Sequence, residues 1–264
     1  MRLFKTALVG VAGLALTTAA VAEEVSLEGS DPQQLSTFSL DFGDGVPRVS
    51  EISFTEFDLR VDSDNGTARF AYYRQFAAPI ELPTPFGPIS TGNLTIEIVP
   101  GSSTGTFDSE TNTFATNEDY VIYFDGDLSA LGLTSPVVLP AEDSAPTSAG
   151  DLQNTDNGLA NGDVAIGWSG SYTLDFGGVP APLNYNCSVN GTFVRFDGCS
   201  TDGCEAADLN RDCVVDLTDL SRLLSNFGRS GSLVAPRVGD LDGDQDIDLT
   251  DLASMLANNA LNCN

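Results

Sequence analysis

From residue 25 onward, apolar and polar positions alternate in short runs broken by Gly, Pro, Asn and Asp, a period-two pattern that predicts strands. "NLTIEIV" sets Leu94, Ile96 and Ile98 on one face. "DYVIYF" does the same with Tyr120, Ile122 and Phe124, and "SYTLDF" with Tyr172, Leu174 and Phe176. In "VSEISFTEFDLRVD" (49–62), Ile52, Phe54 and Glu56 share one phase, and Phe57, Leu59 and Val61 follow in the other. That change predicts a bulge or a strand buried on both faces. "SDNG" (63–66) reads as a hairpin turn, and "CSVNGTFVRF" (187–196) as a hairpin with Asn190-Gly191 at its tip. The stretch 141–163 has no apolar period and reads as a long surface loop. Residues 23–197 are therefore expected to form an antiparallel β-sandwich or barrel, with no helix of substance before residue 205.

The period changes after a short polar junction at 198–205. Leu220, Leu223, Leu224 and Phe227, and later Leu252, Met255 and Leu256, recur at helical spacing and give each of two helices one apolar face. Each helix follows an acidic run, "DLNRDCVVDLTDL" (208–220) and "DLDGDQDIDLTDL" (240–252), the second repeating the first at an interval of 32 residues. The fold class expected is mainly β, with a small helical module over residues 206–264.

At the opposite end, Arg2 and Lys5 precede an apolar stretch from Ala7 to Leu16 and the small-residue site Ala20-Val21-Ala22. Residues 1–22 read as a signal peptide, so the mature chain is expected to begin at Glu23 and to be secreted or held at the cell surface. The apolar stretch is too short to span a bilayer, and no later segment approaches ~20 apolar residues, so no transmembrane segment is expected in the mature chain.

Charge narrows the chemistry. Residues 23–264 carry nine Arg, no Lys and no His against 38 Asp and Glu, a formal charge of −29. Such a field repels nucleic acid and anionic membranes and favours cations. Without His or Lys, a Ser–His–Asp triad, a His-containing metal site and a Lys nucleophile are all excluded. The five cysteines, Cys187, Cys199, Cys204, Cys213 and Cys263, lie in the last third. In an exported chain they read as disulfide staples around the junction and the module, with one thiol left over and the pairing open.

The acidic runs have the spacing of oxygen ligands. Counted from its first Asp, the first loop places Asp208, Asn210, Asp212, Asp216 and Asp219 at positions 1, 3, 5, 9 and 12. The second places Asp240, Asp242, Asp244, Asp248 and Asp251 there. Backbone carbonyls at position 7, Val214 and Asp246, complete the schedule of a twelve-residue calcium loop. Hard oxygen donors without nitrogen or sulfur favour Ca²⁺, one ion per loop, and the ion offsets the repulsion among the carboxylates. Position 8, Val215 or Ile247, is expected to join the two loops by a short β-contact.

This duplicated loop–helix arrangement resembles a type I dockerin module over roughly residues 206–262. The resemblance implies calcium-stabilised folding and docking to a cohesin-like domain on another secreted or surface protein. It also implies recognition through positions 10 and 11, here Leu217-Thr218 and Leu249-Thr250, whose near-identity suits binding in either of two orientations. The family's usual Gly at position 6 is replaced by Cys213 and Gln245.

For residues 23–197 two classes are weighed. One is a noncatalytic binding or surface protein that uses the module for attachment. The other is a polysaccharide-degrading enzyme of glycoside hydrolase type, drawing a carboxylate pair from Glu51, Glu56, Glu81, Glu97 and Glu118. Tyr72, Tyr73, Phe76 and Trp168 are candidates for a sugar-stacking face. The absence of a recognisable active-site pattern favours the first class.

Overall fold

The alternating runs become strands that close on themselves. A computed structural model describes residues 24–31, 33, 35–84, 87–140, 147–153, 159–175, 180–198, 206–231, 233–234 and 236–258. The expected signal peptide, nearly all of the junction, and Cys199, Cys204 and Cys263 lie outside the described residues. Fourteen strands precede the module. They are β1 (Val25–Ser30), β2 (Thr37–Asp41), β3 (Arg48–Asp62), β4 (Thr67–Ala77), β5 (Glu81–Leu82), β6 (Ile89–Ser90) and β7 (Leu94–Ile98). Then follow β8 (Thr104–Asp108), β9 (Thr113–Asn117), β10 (Tyr120–Phe124), β11 (Val137–Leu139), β12 (Ser148–Gln153), β13 (Asn161–Asp175) and β14 (Pro180–Phe196).

Eight of them form a closed antiparallel barrel in the order β1-β3-β4-β8-β9-β12-β13-β14, with β14 returning to β1. Strand β2 continues the slot that β1 begins, pairing with β3 and β14 at their other halves. Strands β7, β10 and β11 extend the sheet from the far end of β4. Of the two expected architectures, the barrel is the one formed.

A barrel of this size has an interior that side chains fill completely. Tyr120 stacks on Trp168 with ring centroids 4.2 Å apart, and Phe70 meets Tyr73 and Phe114 edge-on. Tyr73 and Trp168 are therefore buried in the lumen, joined by a 3.2 Å hydrogen bond from the indole N–H to the phenol oxygen. They do not form the exterior sugar-stacking face the sequence suggested. Phe76 is half-buried beside Phe54, and Tyr72 is buried on the outer wall beneath the module.

A register shift at Ile52/Phe54 leaves Ser53 as the extra residue of β3, the expected bulge, and a second at Asp58/Leu59 leaves Ala71 as the extra residue of β4. Because of the second shift, Phe70 and Tyr73 both reach the lumen while Tyr72 points out.

Two sequence expectations are corrected. First, Asn190-Gly191 is not a hairpin tip: β14 runs straight through it, paired with β13 along its whole length. Gly191 is needed because a Cβ there would lie 2.4 Å from the Ser30 carbonyl, where β1 gives way to β2. Second, the supposed loop at 141–163 contains β12 and the start of β13. Ser148, Ala149 and Gly150 carry no apolar period, yet Gly150 leaves the space that the Phe114 ring occupies. Cys187 is a free, buried thiol, in keeping with one cysteine left over from the expected staples. It points into the lumen against Gln75, and burial pushes its pKa up to about 12.

Beyond the junction, α1 (Leu217–Ser225) and α2 (Leu249–Asn258) are the two short helices. Leu223 and Met255 are buried, with Leu220 and Leu252 partly so, in a small cluster with Leu209, Val215, Val234, Val238 and Ile247. The apolar faces are narrower than expected: Leu224, Phe227 and Leu256 are exposed. Tyr72 of β4 belongs to this cluster, so the C-terminal segment rests on the barrel wall. No helix among the described residues is long and apolar enough to cross a membrane.

Candidate functional site

The two acidic loops fold alike because the same positions solve the same backbone problem. Orphan N–H groups at a helix start need acceptors. In the first loop, Asp216 accepts from the Thr218 N–H at 2.6 Å, and Asp219 accepts from Asp216 N–H at 2.9 Å, a reciprocal capping box. The second oxygen of Asp219 accepts from Asn210 N–H at 3.1 Å. Asp251 does the same in the second loop, taking Leu241 N–H at 2.7 Å and Asp248 N–H at 2.8 Å. Both position-12 carboxylates are fully buried.

The first Asp of each loop holds the turn. Asp208 accepts from Asp212 and Cys213 N–H groups at 3.2 and 2.8 Å; Asp240 accepts from Gly243 and Gln245 at 2.8 and 3.2 Å. Position 6 is left-handed in both copies, with φ of 63° at Cys213 and 72° at Gln245. Position 4 is left-handed as well, at Arg211 (59°) and Gly243 (78°). Each non-Gly residue held there costs ~1 kcal/mol.

The loops differ in how their carboxylates converge. In the second, Asp240, Asp242 and Asp244 bring ligand oxygens within 4.8 Å of one another, as do Asp246, Asp248 and Asp251. That is the span of two oxygens on opposite sides of one ion at ~2.4 Å. Burial, with the neighbouring carboxylates Asp244, Asp248 and Asp251, raises the pKa of Asp246, and one of its oxygens is buried with no hydrogen-bond partner. The Asp246 side chain thus joins the site, where the sequence assigned only its backbone carbonyl. Its acidity at position 7 was the available signal. The first loop gathers no such triad among the described residues; the Asn210 amide donates to Asp212 at 2.9 Å. The donor set of the second loop fits a hard divalent cation.

The expected β-contact between Val215 and Ile247 is not made. Both backbone groups of Ile247 are taken by the chain after α1, its carbonyl by Gly228 N–H (2.8 Å) and its N–H by the Arg229 carbonyl (2.9 Å). Val215 and Ile247 meet instead as fully buried side chains of the same cluster. Leu217, Thr218, Leu249 and Thr250 all lie open to solvent, Leu217 at 74% and Leu249 at 71% exposure.

The candidate catalytic glutamates have other partners. Glu97 pairs with Arg74 (3.0 Å) and Arg229 (2.8 Å), and Glu56 accepts from Tyr72 (2.6 Å) and pairs with Arg222. Glu118 is buried in the lumen, accepting from Tyr120 at 3.0 Å. Only Glu51 and Glu81 are solvated as strand positions usually are. The sequence did not indicate that Glu28 and Asp58, or the arginines of the module, would meet at this surface. No protein-family model matches the chain, and no curated protein matches it either.

Proposed function

We propose that the chain is an exported, noncatalytic binding or surface protein whose C-terminal dockerin-like module binds two calcium ions and attaches the barrel to a cohesin-like partner. The observation that carries this reading is the loop scaffold built twice, 32 residues apart, with a buried carboxylate at positions 1 and 12 of each copy. A bound Ca²⁺ supplies the positive charge that ten Asp side chains in residues 206–264 otherwise lack. The exposed Leu-Thr pairs support the partner half of the proposal. The free Cys187 set aside, four cysteines remain, and we read them as two staples of the junction and module, one including the disulfide-bonded Cys213.

Calorimetric calcium titration of residues 23–264 tests the metal reading. Two binding events are expected, with the second loop filling first, because it gathers more carboxylates and lacks the cation Arg211. Asp240→Ala is expected to remove the tighter event and Asp208→Ala the weaker one. The reverse assignment would overturn the charge argument, and no calcium uptake would overturn the reading itself. Partner binding is tested against immobilised cohesin domains. Alanine at Leu217, Thr218, Leu249 and Thr250 together is expected to abolish it while calcium uptake persists.

A further inference from the structure

Residues 206–264 contain four arginines, and all four reach past the module's own ten aspartates to carboxylates of the barrel. Arg211 pairs with Glu28 and, at 2.9 Å, with Asp58; it also lies over the Phe196 ring, 4.9 Å from the centroid. Arg222 pairs with Glu56, and its other nitrogen donates to the Leu209 carbonyl at 2.8 Å. Arg229 takes Glu97 with both terminal nitrogens, at 3.1 and 2.8 Å, and covers the Tyr123 ring. Arg237 donates to Glu28 at 2.6 Å and lies over Tyr72, 4.8 Å from the centroid. Asn226 of the module is shared by Arg74 of the barrel and Arg229, at 3.0 Å from each. Asp58 and Glu97 are buried, so these are desolvated pairs rather than surface contacts, and a lost partner leaves an uncompensated charge.

The repeat itself shows that this surface is specific. Three of the arginines fall in the first copy, and the positions 32 residues on hold Gly243, Ser254 and Leu261. Arg211 occupies a left-handed position that its counterpart fills with Gly. A strained residue persists where the surroundings over-determine it, and here the surroundings are two barrel carboxylates and an aromatic ring.

We infer that the first copy of the repeat is the barrel-binding half of the module: its arginines recognise an acidic, aromatic face made of Glu28, Glu56, Asp58, Glu97, Tyr72 and Tyr123. Among the described residues of the second copy, 240–258, no arginine makes such a hold; Arg237, in the segment between the copies, takes Glu28. The pseudo-twofold is broken, and the module is fixed on its own barrel in a single orientation. One consequence rests on the function proposed above: an outside partner meets the two Leu-Thr pairs inequivalently, because the barrel stands beside only one of them.

The test exchanges residues between the copies. In residues 23–264, Arg211→Gly with Arg222→Ser gives the first copy what the second already carries, so its loop and helix remain buildable. Small-angle scattering of the unaltered chain is expected to give a single compact body with a radius of gyration of ~18 Å. The double variant is expected to give a larger radius and the profile of two bodies on a tether. Helical circular dichroism and calcium uptake, measured on the same sample, establish that its module is folded. Should that variant lose its helices, Glu56→Gln with Glu97→Gln opens the Arg222 and Arg229 contacts from the barrel side and is expected to show the same expansion. A scattering profile unchanged from the parent chain in a folded variant would falsify the inference. Because calcium uptake is read separately, its loss in the parent chain would overturn the metal reading without bearing on the docking.

Discussion

Glu118 shows how far a single residue can depart from the expectation set by its type. It reads as a solvated strand glutamate, yet it sits in the lumen between Tyr120 and Ser148, which are themselves 2.6 Å apart. Its second oxygen and the hydroxyl of Thr116 are both buried without a hydrogen-bond partner. Burial raises its pKa, partly offset by hydrogen bonds from Ser148 and Tyr120. A proton on that oxygen would remove the buried charge. Because the folded-state pKa lies above the unfolded one, this group favours folding most at low pH, and its contribution falls as pH rises through the carboxylate range. Glu118→Gln keeps the acceptor, carries the donor permanently and bears no charge. The variant is expected to melt above the parent chain at pH ~7.5, with the difference closing towards pH ~4. Thermal unfolding at both values measures it; a variant less stable at each would show that the carboxylate is accommodated in its charged form. The sequence read the position as a strand residue, but it lies between the end of β9 at Asn117 and the start of β10 at Tyr120, where alternation sets no face.

At the scale of elements, periodicity located strands well and turns less well. Leu94, Ile96 and Ile98 of β7 are buried as their alternation requires, and the phase change in β3 is the register shift at Ile52/Phe54. The errors fall where a backbone makes a close approach instead of reversing direction. Asn190-Gly191 carries a turn signature, but the glycine is there to let Ser30 pass. Gly191→Ala is therefore expected to destabilise the barrel by roughly 1–3 kcal/mol through overpacking, although Ala suits a strand no worse than Gly. Chemical denaturation compares the variant with the parent chain, and equal midpoints would mean that β1 and β14 can move apart at no cost. Strand β12 escaped notice for a related reason. Its small residues are chosen by the Phe114 ring and by backbone pairing on both sides, neither of which leaves an apolar period. The fold of the acidic loops was legible because the carboxylates of each come from one contiguous stretch. The barrel face beneath them was not, because Glu28, Glu56, Asp58 and Glu97 are brought together only by the closure of the sheet.

The whole molecule holds two apolar clusters, one filling the barrel and a much smaller one in the C-terminal segment that includes Tyr72 of the barrel wall. On the metal reading proposed above, a bound cation offsets the crowding of ten carboxylates around the smaller cluster. Excess chelator is expected to remove the helical signal of α1 and α2 while the strand signal of the barrel persists, and added calcium to restore it. A circular dichroism spectrum indifferent to chelator would count against the metal reading. The ion pairs carry a further consequence, for resistance to proteolysis. Between residues 24 and 258 there is no lysine, and every one of the nine arginines is engaged with a carboxylate. Digestive enzymes of trypsin-like specificity must draw a cationic side chain into an acidic pocket before they can cut. This chain, while folded, already holds every arginine between residues 24 and 258 against an acid, some of them sharing one.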